Sequence, residues 1–352
     1  MLQVRSRRAL TVGGACTLVA ALCLGAIALS LGATRAVERA HPGITRPEQD
    51  TFAPLRIPKL DVHQRVAPAT LDMALRVARA SGIGALVNLS GGSEGGALEA
   101  QLTAARPYGD RVIVFMNLDA DGCCGDTWIR REAARLARGK ALGARGLAIA
   151  AAPPEAALAS DASEPLWEAC AALGLPVALG DVGSPQERVR LVERHPRVDF
   201  IGARFWDGDQ DPAEVARLMD RLPNLWVDTA DRVADLGREP AAARQAILAH
   251  PDRVLFGSDV RYLESGELQG IVLSTGQPIL LDAKLLGGDE RRVFFMSTYR
   301  FFETRDAGIP GPSPADKDAR ISGIGLPRDV LHRIYHRNAE RLLRVQAPEA
   351  EE

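Results

Sequence analysis

The chain has 352 residues, 46% of them hydrophobic and 25% charged, with a formal net charge of −2 at pH 7. These proportions are ordinary for a globular protein and exclude the fibrous and disordered classes. The near balance of charge argues against a nucleic-acid-binding surface, which usually carries a strong basic excess, and leaves a small molecule or another protein as the expected partner.

Arg5, Arg7 and Arg8 precede an uncharged run from Ala9 to Thr34. A basic start followed by an apolar stretch long enough to cross a bilayer is the layout of an export signal or a membrane anchor. Ser6-Arg7-Arg8-Ala9-Leu10 also looks like a twin-arginine export signal, used for proteins that cross the membrane folded. Residues 1–36 are therefore expected to form a hydrophobic signal or anchor helix, and the protein to be exported or membrane-anchored. Cleavage and retention both stay open, because Thr34-Arg35-Ala36 and Ala28-Leu29-Ser30 are only moderate small-x-small sites. Residues 37–56 hold three prolines and mixed charge and read as a linker. The folded domain is expected over 57–346, followed by an acidic tail at 347–352.

From Ile57 the chain alternates short apolar β-type runs with amphipathic helical stretches. The strand candidates are RIPKLDV, GALVNLS, RVIVFMNL, RGLAIA, LPVALG, DFIGAR, LWVDT and RVLFGSD, eight in all. Between them LDMALRVARA, WIRREAARLARGKAL, EPLWEACAALG and ERVRLVERH carry apolar residues at helical spacing. Eight such units over roughly 250 to 300 residues predict a closed (β/α)8 TIM barrel. An open doubly wound sheet is the alternative, but it would normally carry a Gly-rich turn after its first strand, and none is present. After RVLFGSD the chain runs on through GIPGPSPADKDARISGIGLP before its last helix, RDVLHRIYHRNAERLLRV. An excursion there leaves the barrel on the face where barrels keep their sites, and is expected to cover it.

Active sites of barrels sit at the C-terminal ends of the strands. In LDVHQRV, Asp61, His63 and Arg65 follow one another at strand spacing and are expected to share one face. The eighth run ends in Asp259, the fifth in Gly180-Asp181 and the sixth in Ala203-Arg204.

ALVNLSGG, GARGLAI, WEACAALGLPV, ERHPRVDFIGA, LPNLWVDTADRVADLGREP, HPDRVLFGSD, YRFFET and GLPRDVLHRIYHRNAERLL occur in this order. In that order and spacing the chain resembles the amidohydrolase superfamily, in particular its amidohydrolase-2 branch of metal-dependent hydrolases and decarboxylases, over nearly all of 57–345. The resemblance implies a (β/α)8 barrel. It also implies a divalent ion, usually zinc, held by two first-strand histidines, histidines of the fifth and sixth strands, and an aspartate ending the eighth. His63 matches the first histidine and Asp259 the aspartate. Arg65 stands where the second first-strand histidine belongs, Gly180 at the fifth-strand position, Arg204 or Ala203 at the sixth, and Ala148 where relatives often carry lysine.

Three arrangements follow. Arg65, with Arg204, replaces the metal as the counter-charge to Asp259; or Arg65 turns outward from a merely polar mouth; or a metal site is rebuilt from His63, Asp259 and a carboxylate, Asp61 or Asp181. In the first two no cofactor is expected, and in the third zinc or another divalent ion is. Because arginine cannot deprotonate to become a ligand, the first is preferred, and with it a small carboxylate as the ligand of a barrel unable to do metal-dependent hydrolysis. The alternative is an active hydrolase or decarboxylase working through Asp259 and His63. Asp228 and Arg232 are kept from the family pattern and are expected to form an ion pair positioning the seventh loop. His195 and His250 are expected to act at helix ends, and His332 and His336, spaced four apart on the last helix, as surface residues. Asp119, Asp121, Cys123, Cys124 and Asp126 crowd the third loop, where replacement ligands or an oxidised cysteine pair are conceivable, and Cys170 belongs to the core.

Overall fold

The computed structural model describes residues 52–149, 158–180, 183–206, 210–262, 271–272, 278–279, 289–312 and 318–346. All lie in the compact unit Phe52–Glu352. The N-terminal segment 1–36, most of the linker, Asp181 and the acidic tail fall outside the described residues. Among those described, no helix is long and apolar enough to cross a membrane.

All eight sequence-predicted runs form strands: β1 (Leu60–Val66), β2 (Ala85–Asn88), β3 (Val112–Met116), β4 (Gly146–Ile149), β5 (Val177–Leu179), β6 (Phe200–Gly202), β7 (Leu225–Asp228) and β8 (Val254–Leu255). They pair in parallel and in sequence order. Helices fill the crossovers: α1 (Leu71–Ala80), α2 (Leu98–Ala105), α3 (Asp126–Leu142), α4 (Glu164–Leu173), α5 (Pro185–Arg194), α6 (Pro212–Arg221), α7 (Val233–Leu236) and α8 (Pro240–Ala249). Local sequence sets their starts. Ser184 and Glu187 form a reciprocal capping box ahead of α5, and Asp211 caps α6 by accepting from Ala213 N–H, each with proline at the helix start.

The eighth strand is where sequence and structure part. RVLFGSD reads as one run, but the pairing of β8 stops at Leu255 and resumes in β9 (Val260–Tyr262), which lies parallel to β1. The bonds Val62 N–H to Phe256 O (2.9 Å) and Asp259 N–H to His63 O (2.9 Å) bridge the gap. The ring of parallel strands therefore closes between its eighth member and β1, as a TIM barrel requires. Beyond β9, β10 (Ile271–Val272) and β11 (Pro278–Ile279) extend the sheet in antiparallel fashion.

Side chains alternate about this wall with the period of two that a pleated strand dictates. Leu60, Val62, Ala85, Val87, Ile113, Phe115, Ala148, Ala178, Ile201, Trp226 and Leu255 form one buried cluster, the barrel interior. Their neighbours Leu86, Val112, Val114, Leu147, Val177, Phe200, Leu225 and Val254 belong to the second, beneath the helices. Gly146 is opposite Phe115 in register, and a Cβ there would come within 2.4 Å of the Phe115 ring, so only glycine admits that ring to the interior.

The chain finishes with α9 (Asp289–Glu303), α10 (Arg328–His332), a π turn (Arg333–Arg337) and α11 (Asn338–Leu343). Ala339, Leu343 and Val345 join the interior cluster, and Asn338 Nδ2 donates to Val254 O at the start of β8. The last helix thus plugs the N-terminal end of the barrel and leaves the C-terminal end as the mouth. Of the excursion expected to cover that mouth, α9 instead packs behind the wall, its Tyr299 ring against Phe256 and its hydroxyl donating to Ser81 O. Residues 263–270, 273–277, 280–288 and 313–317 of that excursion lie outside the described residues.

Candidate functional site

The mouth is organised by an irregularity in β1. Its register against β2 shifts between Asp61 and Gln64, and a single extra residue inverts the inward–outward alternation. Leu60 and Val62 face the interior before the shift, and Val66 faces the helices after it. His63 and Arg65 consequently share the inner face while Asp61 does not, contrary to the spacing-based expectation that all three would. Asp61 is instead a buried acceptor on the outer side. It takes hydrogen bonds from His63 N–H (3.1 Å), Gln64 Nε2 (2.7 Å), Ser258 N–H (3.0 Å) and Ser258 Oγ (2.5 Å). Burial pushes its carboxyl up to about 6 against the pull of those donors. Its contacts tie β1 to the interrupted eighth strand; neither a ligand role nor a pair with Arg65 is among them.

His63 stands at the centre. Its Nδ1 lies 2.9 Å from Asp228 Oδ2 at the end of β7, and its Nε2 lies 3.5 Å from Asp259 Oδ1. Among the described residues that Nε2 makes no hydrogen bond, although it is buried. Burial lowers the pKa of the ring, but Asp228, with Asp259 behind it, more than reverses this against the opposition of Arg65, and the imidazole is held above its ordinary 6.5. The ring has room because residue 257 is glycine: a Cβ there would sit 3.0 Å from His63 Cβ and 3.2 Å from Ala230 Cβ.

Asp259 is buried in a left-handed backbone conformation, φ 56°. Arg261 grips it with both ends of its fork, Nε to Oδ1 at 3.2 Å and Nη2 to Oδ2 at 3.1 Å, and Arg65 Nε approaches Oδ1 at 3.9 Å. Arg65 and Arg261 are register partners on β1 and β9. Like charges directly opposite each other repel, and the Asp259 carboxylate between them offsets that repulsion. The hydrogen bonds to Asp259, then its charge and that of Asp231, raise the Arg261 pKa further.

The expected partnership of Arg204 with Asp259 is replaced by another. Arg204 Nη2 lies 3.5 Å from Asp231 Oδ2, and Arg261 supplies the counter-charge in its place. Arg204, Phe205 and Trp206 all have positive φ, a left-handed turn after β6. Asp228 holds that turn: its Oδ1 accepts from Arg204 N–H (2.9 Å) and Ala230 N–H (3.0 Å), and its backbone oxygen from Phe205 N–H (2.7 Å). Asp228 therefore joins the loops after β6 and β7 to the imidazole. The ion pair expected between Asp228 and Arg232 gives way to Arg232 Nη1 with Asp235 at 2.6 Å.

Arg261 and Asp231 are the mouth residues that sequence reasoning missed, and Asp228 was assigned too small a part. The signal was available for Arg261, which follows Asp259 at strand spacing, but ending the eighth run at Asp259 hid it. Asp181 lies outside the described residues. Gly180 follows β5 directly with its N–H on Ile149 O, and Ala203 and Ala148 are buried.

Away from the mouth, Asp119 is bonded to Arg135 and to Asp121 N–H, and Cys123 is joined to Cys124. His250 bonds Ala216 O and Arg253 at the end of α8, and His195, at the end of α5, packs on Trp167. Cys170 is buried and burial pushes its thiol up to about 12, as a core residue requires. Among the described residues, no group of three or more His, Cys, Asp or Glu side chains is placed to hold a metal ion.

A family model described as Amidohydrolase matches residues 31–345. Solved structures agree at the level of the fold. A TIM-barrel protein from Bordetella bronchiseptica superimposes with a TM-score of 0.51 at 15% identity, covering 82% of this chain and 99% of its own. An amidohydrolase from Staphylococcus aureus gives 0.51 at 11%, covering 82% and 100%. One from Burkholderia multivorans, solved with bound zinc, gives 0.50 at 14%, covering 82% and 99%. None of the curated proteins matches the chain.

Proposed function

The chain belongs to the amidohydrolase family, and from that premise we propose that its barrel mouth works without the family's metal ion and binds a small anionic molecule of the carboxylate class. The observation that carries this reading is the occupation of Asp259. The carboxylate that would face a metal already holds the fork of Arg261, with Arg65 beside it. A divalent ion about 4 Å from one guanidinium would meet a repulsion of roughly 8 kcal/mol at an effective dielectric of 20. His63 and Asp259 are then too few protein ligands for a catalytic zinc, which takes three and a water. The donor set does not fit the ion.

The same residues suit an anion. The side chains of Arg65, Arg204 and Arg261 are 29%, 33% and 34% exposed, whereas His63 and Asp259 beneath them are 3% and 1% exposed. Guanidinium forks match carboxylate geometry and favour bidentate contact. His63, held toward its protonated form, adds a buried N–H at Nε2. Calorimetric titration of the full chain with malonate, succinate and benzoate tests this. Binding is expected, weakened in Arg65→Met and Arg261→Met, and saturation at one hundred times Kd would stabilise the fold by about 2.7 kcal/mol. Unchanged heats and melting curves across that panel would count against it.

A second reading is favoured by the imidazole alone. Asp228 orients His63 through Nδ1 and leaves Nε2 buried and facing Asp259. That is the arrangement of an acid–base group, by which a metal-free hydrolase or decarboxylase would work. Any such activity found in the purified protein should fall in His63→Gln and Asp259→Asn; activity intact in both would remove this reading. The arginine pair and apolar run of residues 1–36 support delivery to or across a membrane. Fractionation and N-terminal sequencing of the expressed protein would check both placement and cleavage, and a soluble cytoplasmic chain with its intact start would refute it.

A further inference from the structure

The last helical segment carries a cluster that the mouth does not use. His332 ends α10, His336 lies in the π turn, and Glu340 follows in α11. His332 Nδ1 and His336 Nε2 are 3.3 Å apart, and His336 Nδ1 is 3.1 Å from Glu340 Oε2. We infer that His332 and His336 form a two-imidazole site for a divalent transition-metal ion of the zinc or copper(II) class, with Glu340 orienting His336 and water completing the shell.

The separation is the first support. Two nitrogens each about 2.05 Å from a tetrahedral ion stand about 3.3 Å apart, which is the distance observed. The second is the tautomer. Glu340 accepts from His336 Nδ1–H, so the lone pair of His336 Nε2 points toward His332. This is the outer-shell carboxylate that metal-bound histidines recurrently carry. Without an ion, His332 Nδ1–H donates to that lone pair. Binding exchanges this proton for the ion: the His332 proton moves to Nε2 through solvent, both facing nitrogens become ligands, and no net proton is released.

The surrounding charges sort in both directions. Arg328 and Arg337 repel a cation. Arg333 is engaged with Asp252 at 2.5 Å and Asp329 at 4.0 Å, and Glu340 supplies the compensating negative charge. The π turn places the cluster within a local departure of the kind that recurs at functional sites. Asn338 Nδ2 donates to Pro251 O and Val254 O, which puts the cluster at the plugged end of the barrel, opposite the mouth.

The test is titration of chelator-treated full chain with copper(II), followed by electron paramagnetic resonance, and with zinc, followed by calorimetry. One ion per chain with a two-nitrogen spectrum is expected, lost in His332→Ala and in His336→Gln. In Glu340→Gln the stoichiometry should survive while affinity falls about 10- to 100-fold. His63→Gln should bind as the unaltered chain does, with circular dichroism confirming that each variant is folded. Equal binding by the unaltered chain and a folded His336→Gln variant would overturn the assignment, as would loss of the ion in His63→Gln, which would place it in the mouth.

Discussion

Removing the two charges of the Asp259–Arg261 pair, singly and together, probes the mouth most sharply. In Asp259→Asn the register partners Arg65 and Arg261 lose the carboxylate between them; in Arg261→Gln a nearly fully buried carboxylate keeps the His63 ring, at 3.5 Å, and Arg65, at 3.9 Å. At about 3.15 Å and an effective dielectric of 20, the direct attraction is roughly 5 kcal/mol. Arg261 is about one third exposed, so solvent screening and side-chain ordering reduce the net coupling to about 1–3 kcal/mol. Urea denaturation of the four proteins of the cycle measures it directly, with equal slopes confirming that the same unfolding is compared. The costs of the two single changes should sum to more than the cost of the double change, the excess being the coupling. Costs that add to within about 0.3 kcal/mol would mean that the fork geometry carries no energy and that Arg261 does not hold Asp259.

Three further expectations follow from individual groups. His63 should titrate above 6.5 by NMR and shift down in Asp228→Asn; because its folded pKa is raised, the associated stability is full below the unfolded value and fades as pH rises through the folded one. Lys59, buried between the Tyr299 and Tyr335 rings, is held down to about 8, mainly by burial, so the unfolded chain binds the more protons between 8 and 10.5 and stability should rise with pH across that window. Lys59→Met should flatten that slope, and an unchanged slope would reject the assignment. Gly257→Ala should cost about 1–3 kcal/mol by pressing on His63 and Ala230, and a melting temperature equal to that of the unaltered chain would show that the site yields.

The barrel was legible because its signals are periodic. Eight apolar runs with helical stretches between them repeat the same local physics, and each run became a strand. The site was less so, for two reasons that no periodicity carries. The shift within β1 turns Asp61 away while bringing His63 and Arg65 inward, and one inserted residue leaves no mark in LDVHQRV. The eighth strand breaks at Asp259 and resumes with Arg261 beside Arg65, so the cation that grips Asp259 lay just past the run's apparent end. Asp228 was visible as the end of β7, but its hold on both His63 and the 204–206 turn depends on contacts more than twenty residues away in sequence.

The central claim is that arginines stand in the barrel mouth in place of the family's metal. Elemental analysis of the full chain, produced with zinc and manganese in the medium and carrying His332→Ala and His336→Gln to silence the helix cluster, tests it most directly. Metal far below one ion per chain, unchanged by Asp259→Asn, is the expected result. About one ion per chain that disappears in Asp259→Asn would contradict the claim.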